Sequence, residues 1–184
     1  MKLGLTVLRV VVGALFFGHG TQKLKGWFGG HGLEATAGFF ESLGLRPGKR
    51  HATAAGAAEA GGGALIAAGL LTPVGAGAII GTMATAIRTV HLKNGPWVTN
   101  GGYEYNLVLM AAVLALADLG PGEFSLDHAL GIEVKGPLVA LAALAGGIGT
   151  ATLLTRPSEE PQAADAPAQT PGDPASAPAT QATV

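Results

Sequence analysis

Long apolar stretches, separated by short polar connections, are the feature that most constrains how this chain can fold. Five of them are candidate membrane-spanning helices, at about residues 3–21, 52–71, 73–92, 105–120 and 137–155. A spanning helix needs roughly 17–25 mostly apolar residues. Hydrophobic residues make up 48% of the 184-residue chain and charged residues only 12%, which is little for the surface of a soluble domain. We therefore predict an all-α integral membrane protein in contact with the lipid bilayer.

The first four apolar stretches are predicted to form one domain over residues 1–130, a four-helix membrane bundle. The second stretch is rich in Ala and Gly, which allow close packing against a neighbouring helix. Thr72 and Pro73 come directly after it and are typical of a helix start, with Thr72 as the N-cap and Pro73 at the first helical position. The second and third helices should therefore form an antiparallel pair with almost no loop.

Three other segments accompany this four-helix unit. Residues 33–45 repeat apolar side chains at helical spacing, which predicts a short amphipathic helix at the membrane interface. Residues 131–155 are predicted to add a fifth, C-terminal transmembrane helix as an appendage. Residues 156–184 hold six of the 11 prolines and no aromatic residue, which predicts a disordered Pro/Ala-rich tail.

Ionisable residues are costly inside membrane spans and mark candidate functional sites. When the helices are threaded back and forth, most of the unusual polar residues converge on one side of the bilayer, called side B here. Side B holds the end of the first helix, the start of the second, the end of the third and the start of the fourth. The converging residues are His19, Lys23, Glu59, Arg88, His91, Glu104, Tyr105 and Asn106.

The first helix predicts how these residues face one another. At 100° per residue, Arg9 and Lys23 lie in one stripe, which should face the bundle interior with Arg9 at the floor of a polar pocket. A lone charge at that depth costs at least ~2.5 kcal/mol, so Arg9 is expected to pair with Glu59, with Arg88 as the competing partner. The connection KNGPWVTNGGYEYN should form the rim of the pocket.

The same residues also have ordinary structural explanations. A buried Arg–Glu pair can simply hold two helices together, and histidines near a membrane interface commonly make local hydrogen bonds. The Trp and Tyr residues fit an aromatic belt, and the two Asn-Gly pairs are common turn signals. Glu104 can complement the N-terminal dipole of the fourth helix. The convergence of all these residues on one side is what favours a site.

Three motifs, in order along the chain, resemble the DoxX family of small bacterial membrane proteins. They are LRVVVGALFFGHGTQKLKGWFGGHGL, AAEAGGGALIAAGLLTPVGA and TVHLKNGPWVTNGGYEYNLVLMAAVLALADLGPGEFSLD. The resemblance covers about residues 1–130 and does not extend to the fifth helix or the tail. The matching family residues are Arg9, His19, Lys23, Glu59, His91, Asn100, Gly101, Gly102, Tyr103, Glu104 and Asn106.

The resemblance implies a four-helix bundle in the bacterial plasma membrane and a link to redox chemistry. Relatives are described as subunits of a thiosulfate:quinone oxidoreductase, or as membrane partners of soluble redox enzymes. It leaves open whether this chain is itself an enzyme or an oxidoreductase subunit. The chain has no cysteine, so it can supply no thiolate-held cluster, and electrons would come from a soluble redox partner or another cofactor.

The favoured hypothesis is a component of a quinone-linked membrane oxidoreductase system with a polar pocket at one membrane face. The candidate catalytic residues, as a proton relay, are Glu59, His91 and Glu104. The candidate ligand-binding residues are Arg9, His19, Lys23, Arg88, Asn100, Gly101, Gly102, Tyr103, Tyr105 and Asn106. A quinone is the cofactor that this role implies. A haem between His19 and His91 is a less favoured alternative, and no other metal site is expected.

Two other functions stay open at this point. One is a scaffold that docks soluble redox enzymes, with its buried polar residues purely structural. The other is a binding or transport protein for a small solute or a lipophile, with Arg9, Lys23 and Arg88 as counter-charges. Homo-oligomerisation is also open. The net charge of −1 gives no reason to expect nucleic acid.

Overall fold

The computed structural model describes residues 3–132 and 134–156, and within these ranges the chain forms helices and their connections without a strand. The helices in chain order are α1 Leu3–Lys25, α2 Gly32–Ser42, α3 Gly48–Ala68, α4 Thr72–Ala86, α5 Glu104–Leu119, α6 Leu126–Ala129 and α7 Pro137–Leu154. α4 continues as a π-helical turn over Ile87–His91. The disordered tail that the sequence predicts lies outside the described residues from position 157 onward.

A helix occupies each stretch where the sequence predicts one, and the fold is an all-α bundle of the membrane type. Three described segments are long and apolar enough to cross a membrane, namely Leu3–Lys25, Thr72–Asn94 and Pro137–Leu154. The other two are weaker candidates for physical reasons. α5 has 16 residues, and the first turn of α3 carries Lys49 and Arg50.

α1, α3, α4 and α5 share one apolar core, to which α7 adds Ala140. Ile66 of α3, Ile79 and Ile80 of α4, and Val113 and Leu116 of α5 are fully buried in it. Lipid is as apolar as these side chains, so inside a membrane the core is held by close van der Waals packing more than by exclusion of water.

α1 and α3 approach so closely that only glycine fits at the contact points. A Cβ on Gly13 would collide with the backbone of Gly63 and Ala67, and a Cβ on Gly20 would collide with the backbone of Gly56 and Ala60. Backbone contact of this kind supplies much of the attraction between helices in lipid. The Gly- and Ala-rich composition of α3 is therefore a packing feature.

The fifth predicted span, α7, packs along α4 and does not stand apart from the bundle. Gly77 of α4 lies against Ala143 of α7, and Gly81 lies against Gly147 one turn further on. The two helices therefore run in the same direction. Gly147 is buried, and a Cβ there would collide with Ile80.

A distant carboxylate caps the start of α4. Thr72 is the first residue of α4, and the N-cap position is held by Leu71, which has a left-handed backbone and no side-chain cap of its own. The carboxylate of Asp127 accepts hydrogen bonds from the N–H of Leu71 at 2.8 Å and from the N–H and hydroxyl of Thr72, both at 3.2 Å. The prediction that Thr72 caps the helix is wrong, because this buried carboxylate satisfies the free N–H groups and complements the helix dipole.

Arg9 lies at the same end as Asp127, called side A here, and not at the floor of a side-B pocket. Its side chain is buried, and Nη2 donates to the carbonyl oxygen of Phe124. Gly69, at φ +63°, leaves room for the guanidinium, which a Cβ at that position would strike. The expected pair between Arg9 and Glu59 does not form, because a helix rises about 1.5 Å per residue and places Arg9 roughly 21 Å from Lys23 along α1.

Replacing Asp127 by Ala should destabilise the bundle by about 2 kcal/mol or more. The change removes three hydrogen bonds at the start of α4 and the negative charge that interacts with Arg9. Loss of a helix cap alone costs about 1 kcal/mol, and the remaining partners are buried. Chemical unfolding in detergent measures the effect, with Asp118→Ala near the end of α5 as the control. Equal unfolding midpoints for the two variants would contradict the capping role.

Candidate functional site

A cavity of about 780 Å³ lies between the helices and reaches the side-B residues, and its volume is within the range typical of small-molecule sites. α1, α2, α3, α4, α5 and α7 all contribute to its wall, which is mostly apolar. Six of the residues that the sequence singles out line it, namely His19, Lys23, Glu59, His91, Tyr105 and Asn106. Residues from four separate helical segments therefore meet at one cavity.

The charged centre of the cavity wall is an ion pair between α1 and α3. Lys23 Nζ donates to Glu59 Oε2 at 2.5 Å, a short charge-assisted hydrogen bond. Glu59 is 5% exposed, and the Lys23 side chain is 26% exposed. Arg88, the other expected partner of Glu59, is exposed and donates from Nε to the hydroxyl of Thr155 at 2.9 Å. The partner of Glu59 is thus Lys23.

A local hydrogen-bond chain fixes the protonation pattern of His19. The side-chain amide of Gln22 donates to the carbonyl of Phe28 at 3.2 Å, which leaves its oxygen facing the histidine. His19 Nδ1 lies 3.0 Å from that oxygen and must therefore donate to it. In the neutral form the lone pair of His19 is consequently on Nε2.

His91 ends the π-helical turn and has the same protonation pattern. Its Nδ1 lies 2.7 Å from the carbonyl oxygen of Gly101, so this nitrogen is the donor and Nε2 carries the lone pair in the neutral form. Single π-helical turns inside α-helices occur frequently at functional sites. The turn and the Gly101 carbonyl together hold His91 at the cavity wall.

The connection between α4 and α5 is folded tightly onto itself. Asn94 donates from Nδ2 to the carbonyl of Gly101 at 3.1 Å, and the N–H of Glu104 donates to the carbonyl of Pro96 at 2.8 Å. Gly102 is buried against Gly95 and Trp97, where a Cβ has no room. The two Asn-Gly pairs therefore build a compact loop, and the carbonyl of Gly101 links that loop to His91.

The other predicted site residues lie outside the cavity lining. They are Arg9, Arg88, Asn100, Gly101, Gly102, Tyr103 and Glu104. Arg9 lies at side A, and Gly101 and Gly102 shape the loop between α4 and α5. None of the three lines the cavity. Roles for these residues, and the haem pair of His19 and His91, stay predictions. Within residues 3–132 and 134–156 no group of three or more acidic or histidine side chains could hold a metal ion.

Two further residues of the wall were not anticipated from the sequence. The first is Met83, whose thioether accepts a hydrogen bond from the amide of Asn106 at 3.4 Å. Asn106 is 7% exposed, and a thioether is a weak acceptor. The second is His51 of α3, which also lines the cavity. Met83 and His51 sit among Ala, Gly and Thr residues, so no local pattern distinguished them.

A second cavity of about 340 Å³ adjoins the first at side B. It shares His19, Lys23, Phe39 and Phe40 with the main cavity, and its other lining residues include the polar Gln22, His31 and Thr36. Lys23 therefore stands between an apolar chamber and a more polar one.

Comparison with known proteins identifies the class of protein that this bundle and cavity belong to. The sequence model described as DoxX matches residues 4–92. A curated protein of Bacillus subtilis (strain 168), "Putative oxidoreductase CatD", is 36% identical over 115 residues, which cover 62% of this chain and 79% of that protein. No solved structure matches the chain significantly. The chain belongs to the DoxX family of membrane-associated proteins.

Gly102→Ala should open the loop between α4 and α5, because a Cβ there collides with the backbone of Gly95 and Trp97. Limited proteolysis should then cut within residues 93–103 several-fold faster than in the wild type. Asn100→Ala is the control in the same loop, and its cleavage rate should stay unchanged. Similar rates for the wild type and Gly102→Ala would show that the loop does not depend on this glycine.

Proposed function

We propose that this protein is the membrane-embedded, ligand-binding component of a quinone-linked oxidoreductase system of the bacterial plasma membrane. The quinone headgroup would lie at the side-B end of the main cavity. The observation that carries the proposal is the Lys23–Glu59 pair in the wall of an otherwise apolar cavity. The name of the Bacillus subtilis relative, "Putative oxidoreductase CatD", supports the same class of chemistry.

The donors of the cavity fit the two carbonyl oxygens of a quinone. Lys23 carries an ammonium group, Tyr105 a hydroxyl and Asn106 an amide, and all three line the cavity. The amide of Asn106 has only a weak thioether acceptor in Met83, and a quinone carbonyl would be a stronger one. Asn106 is buried, and the low dielectric around it strengthens a hydrogen bond that its amide makes.

Two groups of the wall can hold and move protons. A quinone supplies the electron-accepting chemistry, taking up two electrons and two protons. Lys23 and Glu59 already share a hydrogen bond at 2.5 Å, and Lys23, whose side chain is 26% exposed, also lines the second cavity. His91 adds a second titratable group, which donates from Nε2 when protonated. Glu104 lies outside the lining, so the relay that we propose consists of Glu59 and His91, with Lys23 as the partner of Glu59.

The double variant Lys23→Met/Glu59→Gln should fold but lose quinone binding. A neutral, well-packed replacement of a buried ion pair is often close to neutral for stability, so the unfolding midpoint should change little. Loss of a charged hydrogen-bond donor costs roughly 1.5–3 kcal/mol, which corresponds to about 10- to 100-fold weaker binding. Titration of the detergent-purified protein with a fluorescence-quenching quinone measures the affinity.

A matched control exists in the same molecule. Lys49 and Glu34 form a second ion pair at 2.5 Å, but both side chains are exposed and neither lines the main cavity. Lys49→Met/Glu34→Gln should leave quinone affinity unchanged. Equal affinities for both double variants and the wild type would contradict the proposal. If soluble redox enzymes then co-purified equally with all three proteins, the scaffold function would be favoured instead.

A further inference from the structure

The main cavity extends far beyond the Lys23–Glu59 pair. Its α4 wall runs from Pro73 to His91, so at roughly 1.5 Å per residue it follows about 27 Å of that helix. The hydrocarbon core of a bilayer is about 30 Å thick. A headgroup at the side-B end would occupy one end of this length and leave most of it for another part of the ligand.

Small residues of α4 and α7 form this extension, which we call the long groove. Its lining residues are Gly77, Gly81 and Thr85 on α4 and Ala143, Gly146 and Thr150 on α7. The two helices touch at Gly77–Ala143 and Gly81–Gly147, and the short side chains beside these contacts leave the space unfilled. A Cβ added to Gly146 would meet no atom within 4 Å.

The hydroxyl groups along the groove donate hydrogen bonds to backbone carbonyls one turn earlier in their own helices. Thr85 donates to the carbonyl of Gly81 at 2.9 Å, Thr89 to that of Thr85 at 2.9 Å, and Thr150 to that of Gly146 at 2.8 Å. A hydroxyl has one donor hydrogen, so these side chains offer a ligand mainly their methyl groups. The long groove is therefore suited to a hydrocarbon chain and not to a polar solute.

The groove opens sideways, toward the region that lipid occupies around a membrane protein. Val74, near its side-A end, is 61% exposed, and Leu15, across the cavity on α1, is 50% exposed. A hydrocarbon chain can thus enter from the bilayer without crossing water. The ionisable and amide side chains of the cavity are grouped toward the opposite, side-B end.

We infer that the long groove binds the polyprenyl tail of a quinone whose headgroup lies beside Lys23 and Glu59, so that the site takes long-tailed membrane quinones. The inference rests on the proposed function. It follows from continuity, since the polar end and the groove are one cavity. A tail joined to a bound headgroup is held at high effective concentration along the groove, which an unattached lipid is not.

The inference assigns α7 a role in binding the quinone tail. The helix lies beyond residues 4–92, the part of the chain that the DoxX sequence model matches. It supplies one wall of the groove through Ala143, Gly146 and Thr150. In this chain, therefore, the added helix completes the tail-binding part of the site.

Photo-cross-linking in lipid nanodiscs tests the inference with two quinone probes, one photoreactive at the headgroup and one at the end of the tail. In the wild type the tail probe should label α4 and α7. Gly146→Leu places a side chain in the groove without a backbone collision, and should lower tail labelling on the order of tenfold, because the tail and the leucine would then compete for the same space. Headgroup labelling near Lys23 should persist.

Gly149→Leu is the matched control. A Cβ at Gly149 also meets no atom within 4 Å, but this glycine does not line the cavity, so both labelling patterns should match the wild type. Tail labelling that Gly146→Leu leaves unchanged would overturn the inference. So would a phospholipid probe that labels the groove as strongly as the tail probe and competes with it. Absence of headgroup labelling in the wild type would instead overturn the proposed function.

Discussion

The hydrogen bonds that the Asp127 carboxylate accepts at the start of α4 hold the side-A end of the bundle together. The first N–H groups of a helix have no partner within the helix, and lipid offers no water to satisfy them. Asp127 accepts from Leu71 and Thr72, while its own N–H donates to the carbonyl of Gly69 at 2.8 Å. Arg9 brings α1 to the same cluster through the carbonyl of Phe124. One buried cluster thus joins α1, the α3–α4 turn and the segment after α5, and the ligand-sized cavity runs from Pro73, next to this cluster, to the side-B end.

The sequence predicted the helices and the side-B convergence because both depend on local pattern and on connectivity. Six of the residues placed on side B by threading the helices do line one cavity. The assignment of Arg9 failed because a helical wheel gives the direction of a side chain around the axis and discards its height. Arg9 and Lys23 share a stripe on α1, yet they serve opposite ends of the helix. Predicting that Glu59 pairs with Lys23 requires the height of each side chain along the helix axis as well as its direction.

Two other features depend on contacts between distant parts of the chain, which no local pattern reveals. Asp127 lies in the four-residue helix α6, and nothing near it in the sequence signals that it caps a helix 55 positions earlier. α7 has the composition of any apolar span, and only its contacts with Gly77 and Gly81 show that it belongs to the cavity wall. The glycines of α4 carried a weak signal, because small residues at helical spacing commonly face another helix.

Because the cavity opens sideways at Val74 and Leu15, the ligand concentration that matters for this site is the concentration in the membrane. A ligand that arrives through the bilayer partitions there first, so its occupancy follows its mole fraction among the lipids and not its concentration in water. Added lipid dilutes such a ligand even when the aqueous volume is constant. A cavity of this kind can be filled in a membrane whose surrounding water contains almost none of the ligand.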